Sequence, residues 1–176
     1  MLDRVYAGAV FYPTWAWNLL LGRVLKIRPW WDFIDDQVIL GARPLNRDVV
    51  TLRELGVRAV VNTCEEYVGP LELYGANKIE QLYIPTTDFT HPKLEDVIKA
   101  VAFVQAHAER GNVTYIHCKA GRARSATIAM CWLMAHRGMS ADEAQQHLLS
   151  RRPHVNTKLT ERPVVNEFRS QCEQES

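Results

Sequence analysis

The residues whose types and spacing could do chemistry lie in one short segment, VTYIHCKAGRARSAT, residues 113–127. A hydrophobic run over 113–116 reads as a strand that delivers His117 and Cys118 into a loop with Gly121, and a helix opens near Arg124. A loop that turns into a helix N-terminus gathers several backbone N–H groups into one concavity. The helix dipole adds partial positive charge there, so the segment is a ready anion site. Lys119, Ala120, Gly121, Arg122 and Ala123 form the wall of that loop, and Arg124 offers a planar fork for two phosphate oxygens. A thiol at the base of such a cradle has its thiolate stabilised, which places Cys118 for in-line attack on phosphorus. No metal or cofactor is needed for this route.

A leaving oxygen expelled from phosphorus needs a proton. Asp88, in TTDFTHP, lies 30 residues before Cys118 on a loop between a short strand and a helix, where it can close over the pocket. His91 and Asp96 fit less well, Asp96 because it falls inside the helix. Lys119 and Arg122 add two cations beyond Arg124. They either meet further negative charge on the substrate, as in a phospholipid or phosphoinositide headgroup, or are solvated surface charges. Arg151 and Arg152, with Lys158 and Arg162, either extend a basic face toward anionic lipid or offset helix dipoles.

Around these residues the pattern is α/β. Strands are predicted over 37–40, 57–62, 82–85 and 113–116, the second of them β-branched and almost uninterrupted. Helices are predicted over 46–55 with Asn46 as N-cap, over 93–110, and from Arg124 to His136. A further helix runs to about Ser150, opened by a Ser140/Glu143 capping box, and a final one covers 161–171 with Pro163 in its first turn. Strands alternating with helices imply a central, mostly parallel sheet flanked by helices.

At 176 residues the chain has room for one core. A net charge of +1 argues against non-specific nucleic-acid attraction. Four cysteines with no CxxC pair argue against a disulfide scaffold and a zinc site. Cys131 lies thirteen residues along the helix that follows Cys118, too far to pair with it. Cys64, at the end of a neighbouring strand, is either a redox partner or a buried small residue. The segment from Val5 to Gly22 has no charge and holds Tyr6, Phe11, Tyr12, Trp15 and Trp17, with basic residues on both flanks. Pro13, Thr14 and Asn18 argue against a membrane span. Either a helix packed on the catalytic core or contact with the membrane interface accounts for it. The division is therefore residues 1–31 as this aromatic segment, an extra hydrophobic helix, and residues 32–172 as one catalytic domain.

The signature H-C-x5-R-[ST], here His117, Cys118, Arg124 and Ser125, resembles that of the cysteine-dependent protein-tyrosine-phosphatase superfamily, in its compact dual-specificity branch. The resemblance implies that Cys118 is the nucleophile and Arg124 the transition-state clamp. Ser125 would help the thiolate leave, Asp88 would be the acid, and His117 would orient the loop and help lower the pKa of Cys118. HCKAGRARSAT, NTCEEYVGP and FYPTWAW together resemble the mitochondrial phosphatidylglycerophosphate phosphatases. That implies an anionic phospholipid substrate, peripheral contact with the matrix face of the inner mitochondrial membrane, and an acidic loop in which Glu65 or Glu66 pairs with Arg124. Val68 and Gly69 depart from that loop's pattern. A phosphoinositide phosphatase or a protein dual-specificity phosphatase is the alternative. A silent phosphate-binding module would have lost the nucleophile, clamp or acid, and all three are present.

Overall fold

The computed structural model of the protein describes residues 28–175. Residues 1–27, and with them the expected extra helix, lie outside the described residues, whereas Trp31, placed by the sequence in the N-terminal segment, opens the first strand of the sheet. Five strands form one sheet: β1 (Trp31–Phe33), β2 (Val38–Gly41), β3 (Val57–Cys64), β4 (Glu80–Thr86) and β5 (Val113–His117). Their order is β1-β2-β5-β3-β4; β1 is antiparallel to β2, and the other neighbours are parallel. The sheet is thus mixed. Strand β1 has only three residues and none is fully buried, so it carries no hydrophobic run to read. Strand β4 extends to Thr86 at the other edge, where Pro85 costs the ladder no hydrogen bond.

The pleat sorts the core. Leu40, Val61 and Ile116 point to one face, and their neighbours Ile39, Val60 and Tyr115 to the other. The first face is covered by α3 (Leu94–Ala108), α4 (Arg124–Arg137), α5 (Ala141–Arg151) and α6 (Pro163–Glu175). The second is covered by α1 (Asp48–Glu54) and α2 (Leu71–Ala76), through Val49, Leu52 and Tyr74. Helix α4 is buried without a break from Arg124 to Leu133, which explains why its sequence shows no clean polar face. Helix α5 opens on the expected capping box of Ser140 and Glu143. Asn46 does not cap α1. The N-cap is Arg47, without a side-chain cap bond, and the Asp48 carboxylate accepts from the backbone of Leu45 at 2.8 Å.

Parallel strands place their carboxyl ends on one edge, so the loops after β2, β3, β4 and β5 converge there, as open α/β sheets require of a ligand site. The opposite end is bolted by Asp35. Its carboxylate accepts from the amides of Gln37 (2.9 Å) and Val38 (2.7 Å), from Trp132 Nε1 (2.8 Å) and from Arg137 Nε (2.9 Å). Asp35→Ala would orphan several part-buried donors. The expected loss is about 2–4 kcal/mol of unfolding free energy in a urea titration.

Candidate active site

The loop after β5 wraps Cys118. Its sulfur accepts from the Gly121 amide at 3.2 Å and from the Ser125 hydroxyl at 3.2 Å, and the residue is 4% exposed. Gly121 has φ +64°, and a Cβ there would run into the carbonyl of Gly41, so only glycine fits the turn that aims this amide at sulfur. The outer side of the loop is gripped by Arg152, whose Nε donates to Gly121 O at 2.9 Å and Nη2 to Ala120 O at 3.1 Å. Arg152 is also paired with Asp32 at 2.6 Å and donates to Pro29 O at 3.2 Å. It is 1% exposed, so it is neither part of a basic outer face nor a solvated helix-end charge.

Arg124 opens α4 at the base of the pocket. Its Nη1 donates to Thr86 O at 2.7 Å and to Glu66 Oε2 at 3.0 Å, and its Nη2 pairs with Asp88 Oδ1 at 3.1 Å. Of the two acidic-loop residues, Glu66 is therefore the one that meets the clamp. Glu65 instead accepts from the Thr87 hydroxyl at 2.8 Å, which ties it to the loop that carries Asp88. Asp88 Oδ2 pairs with Lys119 Nζ. Lys119 is 6% exposed, so it sits inside the charge cluster rather than on its rim. Arg122 binds His154 O through Nε at 2.7 Å, and Ala123 takes the Thr127 hydroxyl on its carbonyl at 3.0 Å.

The electrostatics separate two buried cysteines. Burial pushes the Cys118 thiol up, but the Arg124 charge and hydrogen bonds from the Ser125 hydroxyl and the Ser125 and Arg122 amides outweigh it. The result is a pKa lowered to about 7. Burial raises the Cys64 thiol, and Arg124 does not offset it, so Cys64 stays protonated. Burial acts against the charge on Arg124, yet the neighbouring Cys118 thiolate, Asp88 and Glu66 hold its pKa above the ordinary value.

His117 sits behind the loop as an uncharged ring. Its ring is fully buried beside Tyr67 and Tyr115, with centroids 6.2 and 5.6 Å away. Burial, with the charges of Arg124 and Arg43, lowers its pKa to about 3 against the effect of the Cys118 backbone. It is neutral at neutral pH and supplies no cation to Cys118. What it contributes is shape, together with a backbone carbonyl that takes the Thr63 hydroxyl at 3.0 Å.

Cys118, Lys119, Arg122, Arg124, Asp88 and Arg162 line one cavity of about 550 Å³ at the carboxyl edge of the sheet. A nucleophilic thiol, a ring of amides, a buried guanidinium and a carboxylate are the parts of a phosphoryl-transfer site. Residues 38–171 match the dual specificity phosphatase catalytic domain. The chain belongs to the dual-specificity phosphatase family. It is 41% identical to the phosphatidylglycerophosphate phosphatase PTPMT2 of Arabidopsis thaliana, over 90% of this chain and 71% of that protein. It is 34% identical to the phosphatidylglycerophosphatase and protein-tyrosine phosphatase 1 of Mus musculus, over 95% of this chain and 91% of that one. A crystal structure of PTPMT1 in complex with PI(5)P superposes with a TM-score of 0.76 at 30% identity, covering 83% of this chain and 98% of that chain.

One residue that shapes this phosphatase pocket was not legible in that role: Arg152 acts from behind the loop across 31 residues of sequence, so no local spacing announces it. Glu66, 58 residues from Arg124, was named only through the family resemblance, as one of two candidates. The geometry makes the thiolate testable. Alkylation by iodoacetate should rise with pH about a midpoint near 7. Because the Ser125 hydroxyl stabilises the thiolate, Ser125→Ala should move that midpoint upward by roughly one unit. An unmoved midpoint would remove Ser125 from the account.

Proposed function

We propose that this phosphatase removes the terminal phosphate of phosphatidylglycerophosphate, giving phosphatidylglycerol, as a peripheral enzyme on the matrix face of the inner mitochondrial membrane. The observation that carries the substrate reading is the charge of the cavity around Cys118. Among the described residues Lys119, Arg122, Arg124 and Arg162 line it with one carboxylate, that of Asp88. That excess suits a headgroup with more than one negative charge. The names of the curated relatives and the phosphoinositide bound to the structural neighbour support the same class of substrate. The aromatic, uncharged N-terminal sequence with basic flanks supports interfacial contact. Among the described residues no helix is long and apolar enough to cross a membrane.

The reaction follows from the placement of the groups. The Cys118 thiolate attacks phosphorus, an S–P bond forms, and the P–O bond to glycerol breaks. The departing alkoxide takes a proton from Asp88, while Arg124 and the loop amides meet the charge that builds on the phosphoryl oxygens. Asp88 pairs with Arg124 and Lys119. A phosphate competes for those same cations and frees the carboxylate, which takes up a proton from solvent as the substrate binds and so faces the leaving oxygen as the acid. Water then attacks phosphorus and Asp88 takes its proton. The S–P bond breaks, inorganic phosphate leaves, and the sulfur departs as a thiolate that the Ser125 hydroxyl, 3.2 Å away, stabilises.

Two experiments test this reading. Purified protein and a Cys118→Ser variant are compared in mixed micelles on phosphatidylglycerophosphate, phosphoinositide monophosphates and a phosphotyrosine peptide. The highest kcat/KM is expected on phosphatidylglycerophosphate, with turnover abolished and lipid binding retained in the variant; a preference for the peptide would overturn the lipid assignment. Asp88→Ala should cost about 10²- to 10⁴-fold on this alkyl ester and much less on an activated aryl phosphate, whose leaving group needs no proton. Equal losses would mean that another group is the acid.

A further inference from the structure

The cations of the pocket are not equivalent. Lys119 is paired with Asp88, Arg124 with Glu66 and Asp88, and Arg152, behind the loop, with Asp32. Among the described residues no carboxylate lies in ion-pair range of Arg122 or Arg162, although both line the same cavity as Cys118. Each is nevertheless held in place. Arg162 Nη1 donates to the Thr127 hydroxyl at 2.9 Å, and that hydroxyl donates to Ala123 O at 3.0 Å, at the end of the phosphate loop. Arg122 Nε donates to His154 O at 2.7 Å, and the Asn156 amide returns a bond to Arg122 O at 2.8 Å. The wall formed by Asn156 and Thr157 is thereby fixed to the loop.

We propose that Arg162, with Arg122, forms a second anion subsite that takes the phosphodiester of the lipid headgroup while the terminal phosphomonoester lies in the loop of Cys118. The proposal rests on the substrate reading above. In phosphatidylglycerophosphate one glycerol separates the two phosphorus atoms. A monoester seated in the loop therefore carries a second negative charge within the same cavity. Arg162 meets it with N–H groups not spent on Thr127, in a partly desolvated site where a charge-assisted hydrogen bond is stronger than in open water. A guanidinium keeps its charge under such burial and matches two phosphate oxygens, which an ammonium does not. Because Arg162 is already tethered, little of its rotational freedom is lost on binding. Arg162 lies 38 residues beyond Arg124 and immediately before α6, so it is a specificity-determining residue supplied from outside the signature.

The test compares kcat/KM of the wild type, Arg162→Gln and Arg162→Lys on three soluble substrates. They are a short-chain phosphatidylglycerophosphate, a 1-alkylglycerol 3-phosphate that lacks the diester, and a short-chain phosphatidylinositol 5-phosphate. The preference for the diester-bearing lipid over the alkylglycerol phosphate should fall about 10- to 100-fold in Arg162→Gln, chiefly through KM, and recover in part in Arg162→Lys. An unchanged ratio, or equal losses on all three substrates, would overturn the subsite. If phosphatidylglycerophosphate remains the preferred substrate and the ratio does not move, the subsite fails while the substrate reading stands. If the inositol lipid is preferred and its advantage over the alkylglycerol phosphate still falls in Arg162→Gln, the substrate reading fails while the subsite stands.

Discussion

A phosphate loop can present its amides to an anion only if its carbonyls are turned away and satisfied elsewhere, and here Arg152 satisfies the central two. Its guanidinium, 1% exposed, donates to the carbonyls of Ala120 and Gly121 on one edge and to the Asp32 carboxylate on another. A buried arginine is costly unless every donor is met and its charge is paired. Asp32 provides the pairing and the loop carbonyls provide acceptors, so what would be a liability becomes the element that orients the cradle. The Gly121 amide then reaches the Cys118 sulfur from the opposite side of the same peptide segment. Everything done to the thiol depends on that division between an outer carbonyl surface and an inner amide surface.

The same arrangement explains why the thiolate is favoured at one buried cysteine and not at the other. Cys64 and Cys118 both feel Arg124 and both suffer desolvation. Only Cys118 has, in addition, a hydroxyl and backbone amides directed at sulfur. Coulombic attraction from one guanidinium does not outweigh burial, and hydrogen bonds to the charged form make up the difference. The neutral, enclosed His117 fits this account, since a second cation is not what lowers the thiol.

Much of this was legible from sequence because it is local. The strand, the loop, Cys118, Arg124 and Ser125 lie within fifteen residues, and the Ser140/Glu143 box is a four-residue pattern that the structure contains as read. The core strands β3 and β5 were legible for the same reason, as runs of β-branched residues. Where longer contacts decided the outcome, pattern reading failed. Strand β1 pairs antiparallel with β2 through only Trp31, Asp32 and Phe33, a stretch too short to show a period. Asn46 has a capping side chain, yet Asp48 closes the turn instead. Lys119 looks like a rim cation from its place in the loop, but a carboxylate 31 residues earlier draws it inward. Arg152 and Arg162 read as surface charge until the fold carries one behind the loop and the other into the cavity wall.

Two adjacent acids on the loop after β3 tie these parts together. Glu66 holds Arg124, and Glu65 holds the loop of Asp88 through Thr87. Asp88 is paired in turn with Arg124. Arg124 and Asp88 therefore share one scaffold, the carboxyl end of β3, whose position is set by its parallel pairing with both β4 and β5. A central strand buried on both faces is the part of the sheet least free to move, since displacing it disturbs two ladders and two cores at once. Placing both acids there couples the rigidity of the hydrophobic core to the separation of Arg124 and Asp88. That separation matters because transition-state charge and leaving-group proton lie on opposite sides of the breaking bond, and ångström errors in either are costly in rate. The lid-like loop of Asp88 is thus constrained at its base by a bond from Thr87. Its tip at Phe89, 68% exposed with φ +66°, stands at the mouth of the cavity where the remainder of a substrate must pass.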